Sequence, residues 1–209
     1  TAALTRCGKL RPRYAAKLLG TPFGGGRKRS TQALIERLRV LRTKKPRIRA
    51  LRRAGGSTAM YCRTAAIPAT TYGADVCGVA PSALETLRRH IAAVAGTDTY
   101  GKSPDLVFHC LDASGVRTDP AHACFSLPIL RWAVAIWEAW RGIDELRAAC
   151  EDAQLRLERA GTRHWSAVTG PAAAFVATVW ELGWRLASAV ELIDDLGVSW
   201  DLRRISPAA

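Results

Sequence analysis

The chain has 209 residues with Lys and Arg far in excess of Asp and Glu, a net charge of +13, and 48% hydrophobic residues. That content is enough for a buried core and too high for a disordered chain, and no apolar run nears the roughly 20 residues of a membrane helix. The charge is lopsided: residues 1–63 hold 18 Lys or Arg against the single acid Glu36, net +17, whereas the remainder holds 13 against 17, net −4. A basic block joined to a mildly acidic one points to an anionic polymer partner, the bland alternative being a solvated basic face.

The chain opens at Thr1 with no apolar leader, which suggests a piece of something longer. The segment "TRCGKLRPRYAAKLLGTPFGGGRKRST" is basic and broken by Pro12, Pro22 and Gly24-Gly25-Gly26, leaving room for a short strand or hairpin near the N-terminus. The glycine run lacks the Lys-Ser/Thr ending of a phosphate loop, yet Arg27, Lys28 and Arg29 place three cations beside it. Ser30 reads as the N-cap of "TQALIERLRVLR", whose Leu34, Leu38 and Leu41 form one stripe with Ile35 beside it. Pro46 is expected to break or kink this helix, with "RIRALRRA" a second short basic helix ending at Gly55-Gly56. A further helix runs from Ser57, kinked by Pro68 before "TTYGADVCG".

"PSALETLRRHIAAVAG" is the cleanest helix signal. Ser82 and Glu85 suggest a capping box, Leu84, Leu87 and Ile91 a buried stripe, and Gly96 a stop. Turn residues Gly101, Pro104 and Gly115 make 97–119 a connection with at most one short element. The rest reads as helical: "ILRWAVAIWEAW", "GIDELRAACEDAQLRLERAG", and "GPAAAFVATVWELGWRL" starting at Pro171. All seven Trp lie in this half, and helical spacing assigns them to core over a base-stacking platform. The fold class is all-α: an irregular helical bundle of two helical subdomains, 1–96 basic and 120–209 Trp-rich, joined by 97–119.

Catalytic and metal chemistry find little support. The six scattered cysteines form no CxxC pair, so reduced intracellular thiols are the default. His109-Cys110 and His122-x-Cys124 are poorly spaced for zinc and read better as buried thiols and surface histidines. His90 follows Arg88-Arg89, whose charge should lower its pKa rather than make it a base. Glu191, Asp194 and Asp195 of "ELIDD" read as a solvated helix end, and no nucleophile elbow is present. No catalytic residue, metal or cofactor is assigned.

"TTYGADVCGV" superficially matches the Tyr-x-Asp-Asp box of reverse transcriptases, but two-metal polymerisation needs convergent carboxylates and Asp75 stands alone with Val76 after it. The order of other pieces does resemble such enzymes: "KLLG", the basic "GGGRKRS" and "ALIERLRVLR", then "IPATTYGADVCGVAPSALETLRRHIAAVAG". With the tail "GPAAAFVATVWELGWRL" and "LGVSWDLRRISP", the chain from about Lys17 is similar to the region after the palm of non-LTR retroelement reverse transcriptases, as in retroelement-like polyproteins of protists. The resemblance implies a non-catalytic thumb or connection region in a nuclear protein. It also implies helices that clamp a primer–template duplex, with residues 17–24 near the primer grip and Tyr72-Gly73 packed in a helix interface. RNA or DNA, as duplex or hybrid, is then bound without sequence specificity through phosphate contacts of Arg27, Lys28, Arg29, Arg37, Arg42, Lys44, Lys45, Arg47, Arg49, Arg52 and Arg53. The rival reading is a helical protein–protein module with a basic N-terminal tail, and a functionless genomic remnant is the third.

Overall fold

The computed structural model describes residues 15–18, 21–24, 29–96, 101, 103–112 and 117–206. Two short strands, β1 (Ala15–Leu18) and β2 (Thr21–Gly24), pair antiparallel with Leu18 opposite Thr21. Helix follows: α1 (Gln32–Arg53), then α2 (Thr58–Tyr61) running through a π-helical stretch, Cys62–Ala66, into α3 (Ile67–Thr71). Next come α4 (Ala74–Cys77), α5 (Pro81–Ala95), α6 (Pro104–Leu111), α7 (Pro120–Trp137) and α8 (Ile143–Ala160). A 3-10 segment, Gly161–Ala167, leads to α9 (Pro171–Glu181) and strands β3 (Arg185–Ser188), β4 (Glu191–Ile193) and β5 (Ser199–Asp201).

The protein is therefore mostly helical, but its last segment is an antiparallel sheet in the order β3-β4-β5, where the sequence reading expects helix. Each strand has three or four residues, too short for a period-two pattern to emerge. Gly183 and Gly197 adopt positive φ at the turns that start and divide it. "ELIDD" is a strand and a turn, not a helix end. Asp194 Oδ1 accepts from the Leu196 and Val198 amides at 2.9 and 2.8 Å, and its Oδ2 accepts from Trp200 Nε1 at 2.9 Å. These bonds, the Trp200 one foremost, hold the Asp194 carboxyl below its ordinary pKa.

Helix α1 does not break at Pro46. Its buried residues Leu34, Leu41 and Ile48 recur every seventh position straight through the proline, so the core holds both halves on one axis. Pro46 and Arg42 are both exposed, so the carbonyl that loses its amide partner faces water. Pro68 acts differently: the turn before it widens, with the Ile67 amide donating to the Cys62 carbonyl, which relieves the clash a proline ring makes in an α-register. Two caps also differ from expectation. The N-cap of α1 is Thr31 rather than Ser30, without a side-chain bond. Pro81 at the first position starts α5 two residues early, with Ala80 as N-cap, so no capping box forms and Glu85 instead accepts from Arg89 Nε at 2.8 Å.

Two hydrophobic cores are built. The first joins α1, the α2–α4 segment, α5, α6 and the start of α7, with Leu87 and Ile91 fully buried and Val107 and Phe108 of the 97–119 segment inside it. The second joins the end of α7, α8, α9 and the sheet around Phe175. The handover falls within α7 near its internal Pro128: Cys124 belongs to one core and Trp132 to the other. Trp132 stacks on Phe175 with centroids 5.1 Å apart and donates Nε1 to the Ala189 carbonyl at 2.8 Å, pinning the sheet. It is the single Trp in full burial. Trp165, Trp180 and Trp184 are half-buried, and Trp137, Trp140 and Trp200 are exposed, against the expectation of a Trp core.

Arg88 ties the first core together. Its Nε donates to both Asp119 oxygens at 3.0 and 3.1 Å, and Nη2 adds a bond to Oδ2 at 2.6 Å and one to Asp105. Asp119 is also the N-cap of α7, accepting from the Ala121 amide at 2.8 Å.

Candidate nucleic-acid interface

The expected phosphate contacts divide once folded. Arg27 and Lys28 lie outside the described residues. Arg29 is an anchor rather than an open cation: its Nη2 donates to the Gly78 carbonyl at 2.6 Å, its amide to the Ser166 carbonyl at 2.8 Å, and it lies over the Trp165 ring at 5.7 Å. Burial lowers its pKa. It stitches the entry of α1 to the 3-10 segment of the second core. Arg52 donates to the Gly96 carbonyl at the end of α5. Arg37 donates to the Tyr72 carbonyl and lies over the Tyr72 ring at 5.6 Å. Sequence patterning cannot single out these three, because the carbonyls and rings they meet are about 35 or more residues away.

The others remain on the surface of α1. Arg42, Arg49 and Arg53, with the half-buried Lys45, follow the flank that meets α5, and Lys44 and Arg47 follow the opposite flank below Arg37. Arg39 lies further out. None of Arg39, Arg42, Lys44, Lys45, Arg47, Arg49 and Arg53 forms an ion pair with an acid among the described residues, since the one acid of α1, Glu36, accepts from Gln32 at 3.3 Å. Their charges act on each other instead. The Lys45 ammonium is pushed below its ordinary pKa by burial, then by Arg49 and Arg42. His90 on α5 is pushed down by burial, then by Lys45 and Arg42, not by its sequence neighbours Arg88 and Arg89, which carboxylates engage. The α1–α5 seam is a concentration of like charge.

The α3–α4 corner explains "YGADV". Gly73 has φ of +78°, a left-handed turn conformation that favours glycine. Tyr72 is 51% exposed and held by Arg37, which corrects its expected burial in a helix interface. Asp75 accepts from Arg131 Nε of α7 at 2.8 Å and is the only acid at that corner among the described residues, a structural ion pair. An open cleft of about 900 Å³ lies here between α3–α4 and α7.

Among the described residues no three His, Cys, Asp or Glu side chains gather as a metal site. His109, Cys110 and His122 are exposed while Cys124 is buried, and burial pushes the Cys124 thiol up to about 12. No described helix is long and apolar enough to cross a membrane. The chain matches no family model, and no curated protein or solved structure is detectably similar to it.

Proposed function

We propose that the chain binds a nucleic-acid duplex along α1 through phosphate contacts and carries out no catalysis of its own, the role that its resemblance to the post-palm region of a reverse transcriptase suggests. The observation that carries this reading is a core-anchored helix on which Arg39, Arg42, Lys44, Lys45, Arg47, Arg49 and Arg53 form no ion pair with an acid among the described residues. At 1.5 Å per residue, α1 is roughly 33 Å long, about the length of ten base pairs at 3.4 Å each. Like charges crowded at the α1–α5 seam are unfavourable in the free protein and are relieved when phosphates enter. Side chains spread along both flanks of one helix suit backbone contact better than base readout, which supports binding without sequence preference. A basic tail on an interaction module fits less well, because Leu34, Leu41 and Ile48 bury α1 in the first core.

Fluorescence anisotropy with a labelled duplex at several salt concentrations tests the proposal. Six or more contacts give a log–log slope of about −5, and Arg42→Gln, Arg49→Gln and Arg53→Gln together make it shallower by about 2.7. A triple variant with unchanged affinity and slope refutes the assignment to α1. Arg29 and Arg52 are unsuitable targets, because removing them breaks internal contacts.

A further inference from the structure

The cleft between α3–α4 and α7, about 900 Å³, has a lining unlike the surface of α1. Ile67, Pro68, Leu127 and Trp132 contribute an apolar floor, with Tyr72 and Trp140 on the wall. Both wall aromatics are about half exposed, at 51% and 49%. Each is also already braced by a guanidinium: Arg37 lies over Tyr72 at 5.6 Å and Arg131 over Trp140 at 5.5 Å. Arg131 is held in turn by Asp75. Each ring is thus fixed with a guanidinium over one face while about half of its surface stays exposed, an arrangement that can present the other face for stacking at little entropic cost.

Charge completes the pattern. Among the described residues Asp75 is the only acid lining the cleft, and Arg131 neutralises it. Arg63 forms no ion pair among the described residues, and Arg141 meets Glu145 only at 3.9 Å. An apolar floor, fixed aromatic faces and two cations at the rim match a planar apolar group attached to phosphates. The cleft also joins the α1 surface, because Arg37 belongs to α1 and touches Tyr72 on the cleft wall.

Building on the duplex-binding reading above, we propose that this cleft receives the unpaired nucleotides at the end of a bound duplex, stacking a base on Trp140 and Tyr72 while Arg63 and Arg141 hold the flanking phosphates. Free bases of any identity present such a face, so the pocket distinguishes a frayed or overhanging end from a blunt one without reading its sequence. Its volume of about 900 Å³ accommodates more than a single base.

The test compares a blunt duplex with the same duplex bearing a three-nucleotide overhang that contains 2-aminopurine. Anisotropy reports affinity and the probe's fluorescence reports stacking. The overhang is expected to tighten binding roughly 5- to 150-fold, the range for one stacked base, with quenching of the probe. Trp140→Ala and, separately, Arg141→Glu remove most of that gain and leave the blunt duplex bound as before. Equal affinity for both duplexes, with blunt binding intact, overturns the cleft assignment and leaves the α1 reading standing. Binding of neither duplex overturns both. An acidic amphipathic peptide that binds with the same sensitivity to Trp140→Ala, in the absence of an overhang effect, assigns the cleft to a protein partner and also overturns the proposal.

Discussion

Replacing Asp119 tests how the first core is held together. Asp119→Ala removes two things at once. One is the N-cap of α7, worth about 1 kcal/mol. The other is the three-bond partner of Arg88, and both side chains of that pair are only 18% exposed. Stranding one member of a fully buried pair costs about 3–5 kcal/mol. Here some water reaches the pair and Arg88 retains the exposed Asp105, so about 2 kcal/mol is appropriate. The expected total for Asp119→Ala is about 3 kcal/mol, whereas Asp119→Asn, which can still cap, should cost about 2 kcal/mol. Urea denaturation followed by far-UV circular dichroism measures both, and Arg88→Met completes a double-mutant cycle with an expected coupling of about 1–2 kcal/mol. A loss below about 1 kcal/mol for Asp119→Ala, or no coupling to Arg88, refutes the reasoning that this pair joins α5 to α7.

Four further outcomes follow from the same geometry. Pro46→Ala should stabilise the protein by about 1–3 kcal/mol with helix content little changed, because α1 already runs through that position; a large gain in ellipticity would mean the helix was broken there. Gly78→Ala should destabilise by more than about 2 kcal/mol, since φ is +58° and a Cβ would lie 2.8 Å from the Trp165 ring; near-neutral denaturation midpoints would contradict this. His90 has a folded-state pKa below its unfolded value, so its contribution to stability is present above the unfolded pKa and is lost as pH falls through the folded one. Phosphates at the α1–α5 seam would raise that pKa again, so duplex binding should tighten as pH falls through the histidine range and His90→Gln should flatten the trend. Among the described cysteines, exposed Cys110 should react with a thiol reagent at once, whereas Cys62 and Cys150, whose thiols burial pushes up to about 12 and about 11, should wait for unfolding; equal rates would contradict their burial.

Sequence alone determined the features that depend on neighbours along the chain. The stripes Leu34-Leu41 and Leu84-Leu87-Ile91, the start of α9 at Pro171 and the basic character of the first third are all local patterns, and they appear in the fold as helices with those faces buried. That Asp75 has no second acid within nine residues on either side was likewise legible, because it is a property of the chain itself. What tertiary structure decided was the fate of each long side chain and each weak local signal. Pro46 stays helical because Leu41 and Ile48 find one core on both sides of it. The last strands form because Trp132 and Phe175 offer a platform, which a run of three or four residues cannot announce. Arg29, Arg37 and Arg52 look identical in sequence to Arg42, Arg49 and Arg53, yet the first three meet carbonyls contributed by distant segments while the others are left to solvent. Charge is a property of the residue, but whether that charge is available to a ligand depends on which backbone oxygens the fold brings within reach.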